Sequence, residues 1–156
     1  MFREYDIRGR VNKEELCPEN VYKIVKAYCK YLKRRNITRA VCGYDNRACS
    51  PAFAEAAVKA LRECGIDVFF TGLSLSPLVY FAQYYLKCEG AVMIPASHNP
   101  DGWSGFKLAK GYSKTLEPDD IKEVYSLLDT PDEPCAMGSY EEVNVRDAYI
   151  DDIVSR

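Results

Sequence analysis

The chain has 156 residues, 47% of them apolar and 28% charged, a composition that excludes disorder and low complexity. Its 21 basic and 23 acidic side chains leave a net charge of −2, which argues against the clustered positive surface of a nucleic-acid binder. No apolar run reaches the ~18–20 residues that cross a bilayer, and Met1–Asp6 is no secretion signal, so no membrane partner is expected.

Residues 1–16 are polar and carry Arg3, Arg8 and Arg10 around Tyr5, Asp6 and Gly9. Pro18 then opens a helical pattern, with Val21, Ile24, Val25, Tyr28 and Leu32 on one face at the 3.6 period. Lys30, Lys33, Arg34 and Arg35 gather at its end, where cations suit the negative pole of the helix dipole. A solvated terminus explains that run more simply than a phosphate-binding patch.

Ala40–Tyr44 reads as a buried strand, followed by the loop Asp45-Asn46-Arg47. Ser50-Pro51 predicts an N-cap with proline at the first helical position, and the helix from Ala54 to Cys64 is closed by Gly65. Asp67–Phe70 reads as a strand. Ser76-Pro77 predicts a cap for a helix to about Lys87, with Leu78, Phe81, Ala82, Tyr85 and Leu86 inward. Gly90–Ile94 is a further buried strand, and Lys107 falls on the one after it. Glu117-Pro118 opens a helix carrying Ile121, Val124, Leu127 and Leu128, which Asp129-Thr130-Pro131 stops. Residues 130–138 read as an exposed loop and 141–145 as an edge strand. From Asp147 onward the pattern is helical, with no stop signal before Arg156.

Strand and helix alternate with short connections, which predicts an α/β fold. The expected architecture is a three-layer αβα domain: a mostly parallel, mixed sheet with helices on both faces. We expect residues 1–138 to form this domain, and 139–156 to supply an edge strand and the start of a connector helix. Ligands in such sheets collect beyond the carboxyl ends of the strands. That rule directs attention to Asp45–Arg47, Thr71–Ser76 and Pro95–Gly105.

The seven cysteines (17, 29, 42, 49, 64, 88 and 135) are odd in number, spread out, and lack any C-x-x-C pair. They fit neither a disulfide framework nor a zinc knuckle, and imply a reducing cytoplasm. Cys29, Cys42, Cys64 and Cys88 lie in apolar stretches, as small hydrophobes do.

The chemistry concentrates in Pro95-Ala96-Ser97-His98-Asn99-Pro100, which sets a hydroxyl, the only histidine and an amide beyond a buried strand. A merely polar turn is the first reading. A hydrolase is the second, with Ser97 as nucleophile and His98 as base. Neighbouring side chains diverge in an extended segment, and the G-x-S-x-G elbow is absent, so this reading is weak. In the third, Ser97 carries a phosphoryl group. Its added negative charge and three acceptor oxygens need cations, and Arg8, Arg47 and Lys107 are available.

Pro95-Ala96-Ser97-His98-Asn99-Pro100 resembles the T-A-S-H-N-P loop of the α-D-phosphohexomutase family. Phe2-Arg3-Glu4-Tyr5-Asp6-Ile7-Arg8-Gly9 is similar to the F-R-x-Y-D-I-R-G opening of its phosphomannomutase/phosphoglucomutase branch. Gly43-Tyr44-Asp45-Asn46-Arg47 resembles G-x-D-x-R, and Ser104-Gly105-Phe106-Lys107 resembles N-G-F-K. Four matches occur in the right order across most of the chain. The resemblance implies an isomerase that interconverts hexose 1-phosphates and 6-phosphates, of mannose or glucose, through a phosphoserine and a bisphosphate intermediate. It implies Ser97 as phosphocarrier and, through its phosphate, as a Mg²⁺ ligand. His98 and Lys107 become candidates for acid/base work and charge stabilisation. Tyr5, Arg8, Lys107 and Asn99 become candidates for holding substrate.

Pro95 stands where the family has threonine, and Trp103-Ser104 replaces a common Tyr-Asn pair. Family members have four domains, and this chain resembles only the first. The D-G-D-G-D metal loop of the second domain is absent here, so Mg²⁺ and the remaining domains of the same enzyme are implied partners. The expectation is a catalytic-serine domain that is inactive alone. The alternatives are a stand-alone phosphosugar-binding or interaction module, and the first domain of a phosphoglucosamine mutase. The latter's usual opening, F-G-T-D-G-I-R-G, fits Phe2–Gly9 less well.

Overall fold

A computed structural model describes residues 1–156. Its single six-stranded sheet has the order β1-β5-β4-β2-β3-β6. The strands are β1 (Ile7–Arg10), β2 (Arg39–Tyr44), β3 (Asp67–Leu73), β4 (Gly90–Ile94), β5 (Trp103–Lys110) and β6 (Tyr140–Glu142). β4, β2, β3 and β6 run parallel, whereas β5 pairs antiparallel with both β4 and β1. The helices are α1 (Pro18–Lys33), α2 (Ser50–Glu63), α3 (Ser76–Tyr85), α4 (Pro118–Ser126) and α5 (Arg146–Val154).

Strand side chains alternate between the two faces. Ala40, Cys42, Val92, Ile94, Phe106 and Leu108 face α1 and α2 in the larger core, which α4 extends. Val41, Ala91, Met93 and Ala109 face α3 in a smaller one, closed by Cys88 and Val145. The result is the three-layer α/β arrangement expected. Each fully buried Leu, Ile or Phe contributes about 1.5–3 kcal/mol, so the larger core dominates. All seven cysteines are free, and Cys29, Cys42, Cys64 and Cys88 are buried.

Several local expectations are corrected. The polar opening contains β1, whose Ile7 and Gly9 are buried while Arg10 is exposed. Neither Ser50 nor Ser76 caps its helix through the side chain. Ser50 instead sends its hydroxyl to Asp45. α3 packs Ala82 and the partly buried Leu78, Phe81 and Leu86 against the smaller core as anticipated, but it also buries Val79 and Gln83 and leaves Tyr85 exposed. The Gln83 amide is satisfied there by the Glu89 and Gly111 carbonyls. The cations ending α1 are largely engaged: Lys30 holds the Thr130 carbonyl and Asp132, and Arg34 and Arg35 hold Glu123.

Candidate active site

β4 delivers the 95–102 loop to the carboxyl end of the parallel strands, where Asp45 N–H donates to the Ile94 carbonyl at 3.0 Å. Pro95 suits this exit, because a residue before proline favours the extended backbone with which Ile94 ends β4. The chain then turns sharply. Ser97 adopts φ 53°, in the left-handed region that costs an L-residue roughly 1–2 kcal/mol. Asn99 closes the turn by donating both its N–H, at 3.0 Å, and its amide, at 2.8 Å, to the Ala96 carbonyl.

That conformation exposes Ser97 and brings its Oγ to 3.3 Å from His98 Nδ1. The expectation that these neighbours diverge is therefore corrected: it assumed an extended segment, and the backbone here is a turn. A hydrolase reading gains little. No third group orients His98, as a nucleophile–base pair requires.

Two distant segments hold the loop, the N-terminal strand and the stretch between β2 and α2. Arg8 Nη1 donates to the Ala96 carbonyl at 2.9 Å, and its Nε pairs with Asp6 at 2.5 Å. Its Nη2 has no protein partner. Asp45 accepts the Ala96 N–H at 2.9 Å on one oxygen and the Ser50 hydroxyl at 2.6 Å on the other. Arg47 reaches the carbonyls of Asn99 at 2.5 Å and Pro100 at 2.8 Å, with longer contacts to Trp103 and Ser97. The Asp45 and Ser50 roles were not anticipated. The only sequence signal for them is an aspartate closing a buried strand five residues before a helix-opening serine.

Lys107 sits opposite Met93 in the β4–β5 register, half-buried and without any ionic partner. It lies two residues along β5 from Gly105, whose partner in β1 is Arg8, so both cations belong to one sheet face. Gly105 makes that pairing possible, since a Cβ there would stand 2.5 Å from the Ile7 carbonyl oxygen. Tyr5 is 62% exposed in the N-terminal turn and touches none of the loop's polar groups. Two further cations, Arg3 and Arg10, approach the Trp103 ring at 5.8 and 5.7 Å from its centroid. The structure thus unites Ser97, His98, Asn99 and Arg8, sets Lys107 on the same sheet face as Arg8, and leaves Tyr5 apart.

The donor set does not fit a divalent cation by itself. No three His, Cys, Asp or Glu side chains converge. Asp45 is spent on the Ala96 and Ser50 hydrogen bonds, and Mg²⁺ prefers about six oxygens. No helix is long and apolar enough to cross a membrane.

A family model described as phosphoglucomutase/phosphomannomutase, alpha/beta/alpha domain I, matches residues 1–134. A phosphomannomutase of Salmonella montevideo is 37% identical over 99% of this chain, which covers 34% of that protein. The chain thus spans about a third of the length of that curated relative. A phosphomannomutase sequence from Klebsiella pneumoniae is 33% identical, with 96% of each chain covered. Among solved structures, a phosphoglucomutase/phosphomannomutase family protein from Burkholderia thailandensis superimposes with a TM-score of 0.89. It is 28% identical, with 99% of this chain and 35% of that chain covered.

Proposed function

Since the chain belongs to the phosphoglucomutase/phosphomannomutase family and matches its domain I, we propose that it is the phosphoserine-bearing part of a hexose-phosphate mutase. One observation carries the reading. Ser97 is exposed at the rim of the sheet in a strained turn, on a loop that Arg8 holds from one segment and Asp45 and Arg47 from another. Strain of this kind persists only where the surroundings over-determine it.

In the proposed reaction, a hydroxyl of a hexose monophosphate attacks the phosphorus on Ser97. The new O–P bond forms as the serine O–P bond breaks, and the sugar hydroxyl gives up its proton as the serine oxygen gains one, giving a sugar bisphosphate and a free serine hydroxyl. The bisphosphate reorients and returns its other phosphoryl group to Ser97. Transfer of this type depends on positioning and electrostatic stabilisation. His98 Nδ1, at 3.3 Å, is placed to give a proton to the departing serine oxygen and to take it back. Arg8 has an open Nη2, and Lys107 lacks an ionic partner. Both suit the charge on the transferring oxygens, and the exposed Tyr5 and the side-chain oxygen of Asn99 are our candidates for sugar contacts. A phosphate on Ser97 would supply part of an Mg²⁺ shell, and the remaining ligands would come from outside these residues. The exposed rim and incomplete donor set support inactivity of the 156 residues alone.

Phosphosite mapping of the mutase-active protein tests the assignment. Phosphate on Ser97, lost in Ser97→Ala together with turnover of mannose 1-phosphate and glucose 1-phosphate, is expected. Phosphate retained on another residue overturns it. Robust turnover by the 156-residue chain overturns the inactivity claim.

A further inference from the structure

We propose that Arg47 is a positioning residue for the transfer rather than a ligand for phosphate: its guanidinium turns the carbonyl groups of the serine loop away from the phosphoryl site. This inference rests on the function proposed above.

Both terminal nitrogens of Arg47 are occupied. A guanidinium has five N–H donors in a fixed fork and no acceptor. Nη1 faces the carbonyls of Pro100 at 2.8 Å and Trp103 at 3.4 Å. Nη2 faces those of Asn99 at 2.5 Å and Ser97 at 3.5 Å. Nε lies 3.7 Å from the Asp45 carboxylate. Neither terminal nitrogen is left to donate to a phosphate, and Nε faces a carboxylate. Arg8 differs in this respect, because its Nη2 is open.

The four carbonyls span residues 97 to 103, the whole length of the turn. A carbonyl oxygen carries partial negative charge, and a phosphoserine brings about −1.5 to −2 more. Carbonyls gathered around one cation point their charge at it and not at the phosphate. The strained turn at Ser97 needs external support, and this fork supplies it from the carbonyl side. The fork is itself aimed. Asp45, which accepts the Ala96 N–H at the start of the loop, also accepts the Arg47 backbone N–H at 3.2 Å and lies 3.7 Å from its Nε. One carboxylate therefore fixes the beginning of the loop and orients the cation that fixes the rest.

Arg47→Ala, Arg47→Gln and Arg47→Lys in the mutase-active protein test the proposal. A displacement near 1 Å at a reacting group costs on the order of 10²-fold in rate. Accordingly, kcat of Arg47→Ala should fall about that far, with KM for the sugar phosphate within about twofold. Free guanidinium ion should restore part of the loss. Lysine should restore less, because an ammonium cannot reproduce the planar fork. A rise in KM with unchanged kcat overturns the proposal and makes Arg47 a phosphate ligand. Unchanged kinetics overturn it outright. A separate readout covers failure of the parent function. If the wild-type protein carries no phosphate on Ser97, exchange of the Asn99 amide still decides whether Arg47 holds the loop. Unaltered protection in Arg47→Gln refutes it, and Arg47→Lys provides a folded comparison should Arg47→Gln fail to fold.

Discussion

The Ala96 N–H donates to Asp45 Oδ2 at 2.9 Å, joining two loops that lie 51 residues apart in the chain. The other oxygen of the same carboxylate accepts the Ser50 hydroxyl at 2.6 Å, so the opening of α2 is tied to the exit of β4. An ionised carboxylate accepts on both oxygens without donating, and this junction needs that property.

Asp45→Asn tests the junction. Asparagine keeps one acceptor oxygen and must turn its NH₂ toward the backbone N–H of either Ala96 or Arg47, which leaves that donor unpaired, whereas the Ser50 hydroxyl can rotate to accept. Hydrogen bonds to charged groups contribute about 1.5–3 kcal/mol, so a loss of about 2 kcal/mol is expected in urea unfolding. Faster exchange of the Ala96 amide should accompany it. An unchanged amide means that the contact carries no load.

Gly105→Ala is expected to separate β1 from β5. The new Cβ would meet the Ile7 carbonyl at 2.5 Å and Arg8 Cα at 3.5 Å, and backbone cannot swing aside as a long side chain can. Overpacking of this kind costs about 1–3 kcal/mol. Because β1 carries Arg8, the Arg8–Ala96 contact should be lost with it. A thermal midpoint equal to that of the wild type would show that the strands can spread at no cost.

The central architecture is legible in the sequence because β2 and β4 are continuous apolar runs between helices of clear period. β1 is not, because only Ile7 and Gly9 of its four residues point inward and the rest is polar. The inward face of α3 misleads for a related reason. A glutamine with carbonyl partners is buried where hydrophobicity alone would not put it, and Tyr85 is exposed. At the candidate site, residue types announce the loop and its cations. The hold of Arg47 leaves no trace in the sequence, since its partners are carbonyl groups that every residue possesses.

Acid should unfold the chain partly through Asp120. Burial alone would raise this carboxyl, but hydrogen bonds from Lys110 and Tyr31 outweigh it and hold the group below the usual Asp range. A depressed acid stabilises the fold above its unfolded value of about 3.9 and loses that contribution as pH falls through the folded value. Asp120→Asn should therefore weaken the protein at pH 6 and flatten the fall in stability below about pH 4. Urea midpoints measured from pH 6 down to about 2.5 check the sign; an unaltered acid limb excludes Asp120 as a contributor.

Ser104 offers a gain. Its Oγ is buried, at 1% exposure, and has no hydrogen-bond partner. An unsatisfied buried hydroxyl costs about 1–3 kcal/mol, so Ser104→Ala should leave stability unchanged or raise it by about 1 kcal/mol. A clear loss would reveal an ordered water bonded to that oxygen.

Ser97 ties chemistry to backbone conformation. At φ 53°, glycine meets no steric penalty, whereas a β-branched residue meets the largest. Ser97→Gly should match or slightly exceed the wild type in stability, its relief of strain being offset by about 0.5–1 kcal/mol of unfolded-chain entropy. Ser97→Val should lose about 2 kcal/mol. Threonine separates the two roles, since it keeps a hydroxyl able to carry a phosphoryl group while resisting this φ. Ser97→Thr should therefore lose phosphate labelling and turnover along with stability, and the stability order should run glycine, serine, threonine. Full labelling of Ser97→Thr at wild-type stability would mean that the left-handed turn is not what presents the hydroxyl.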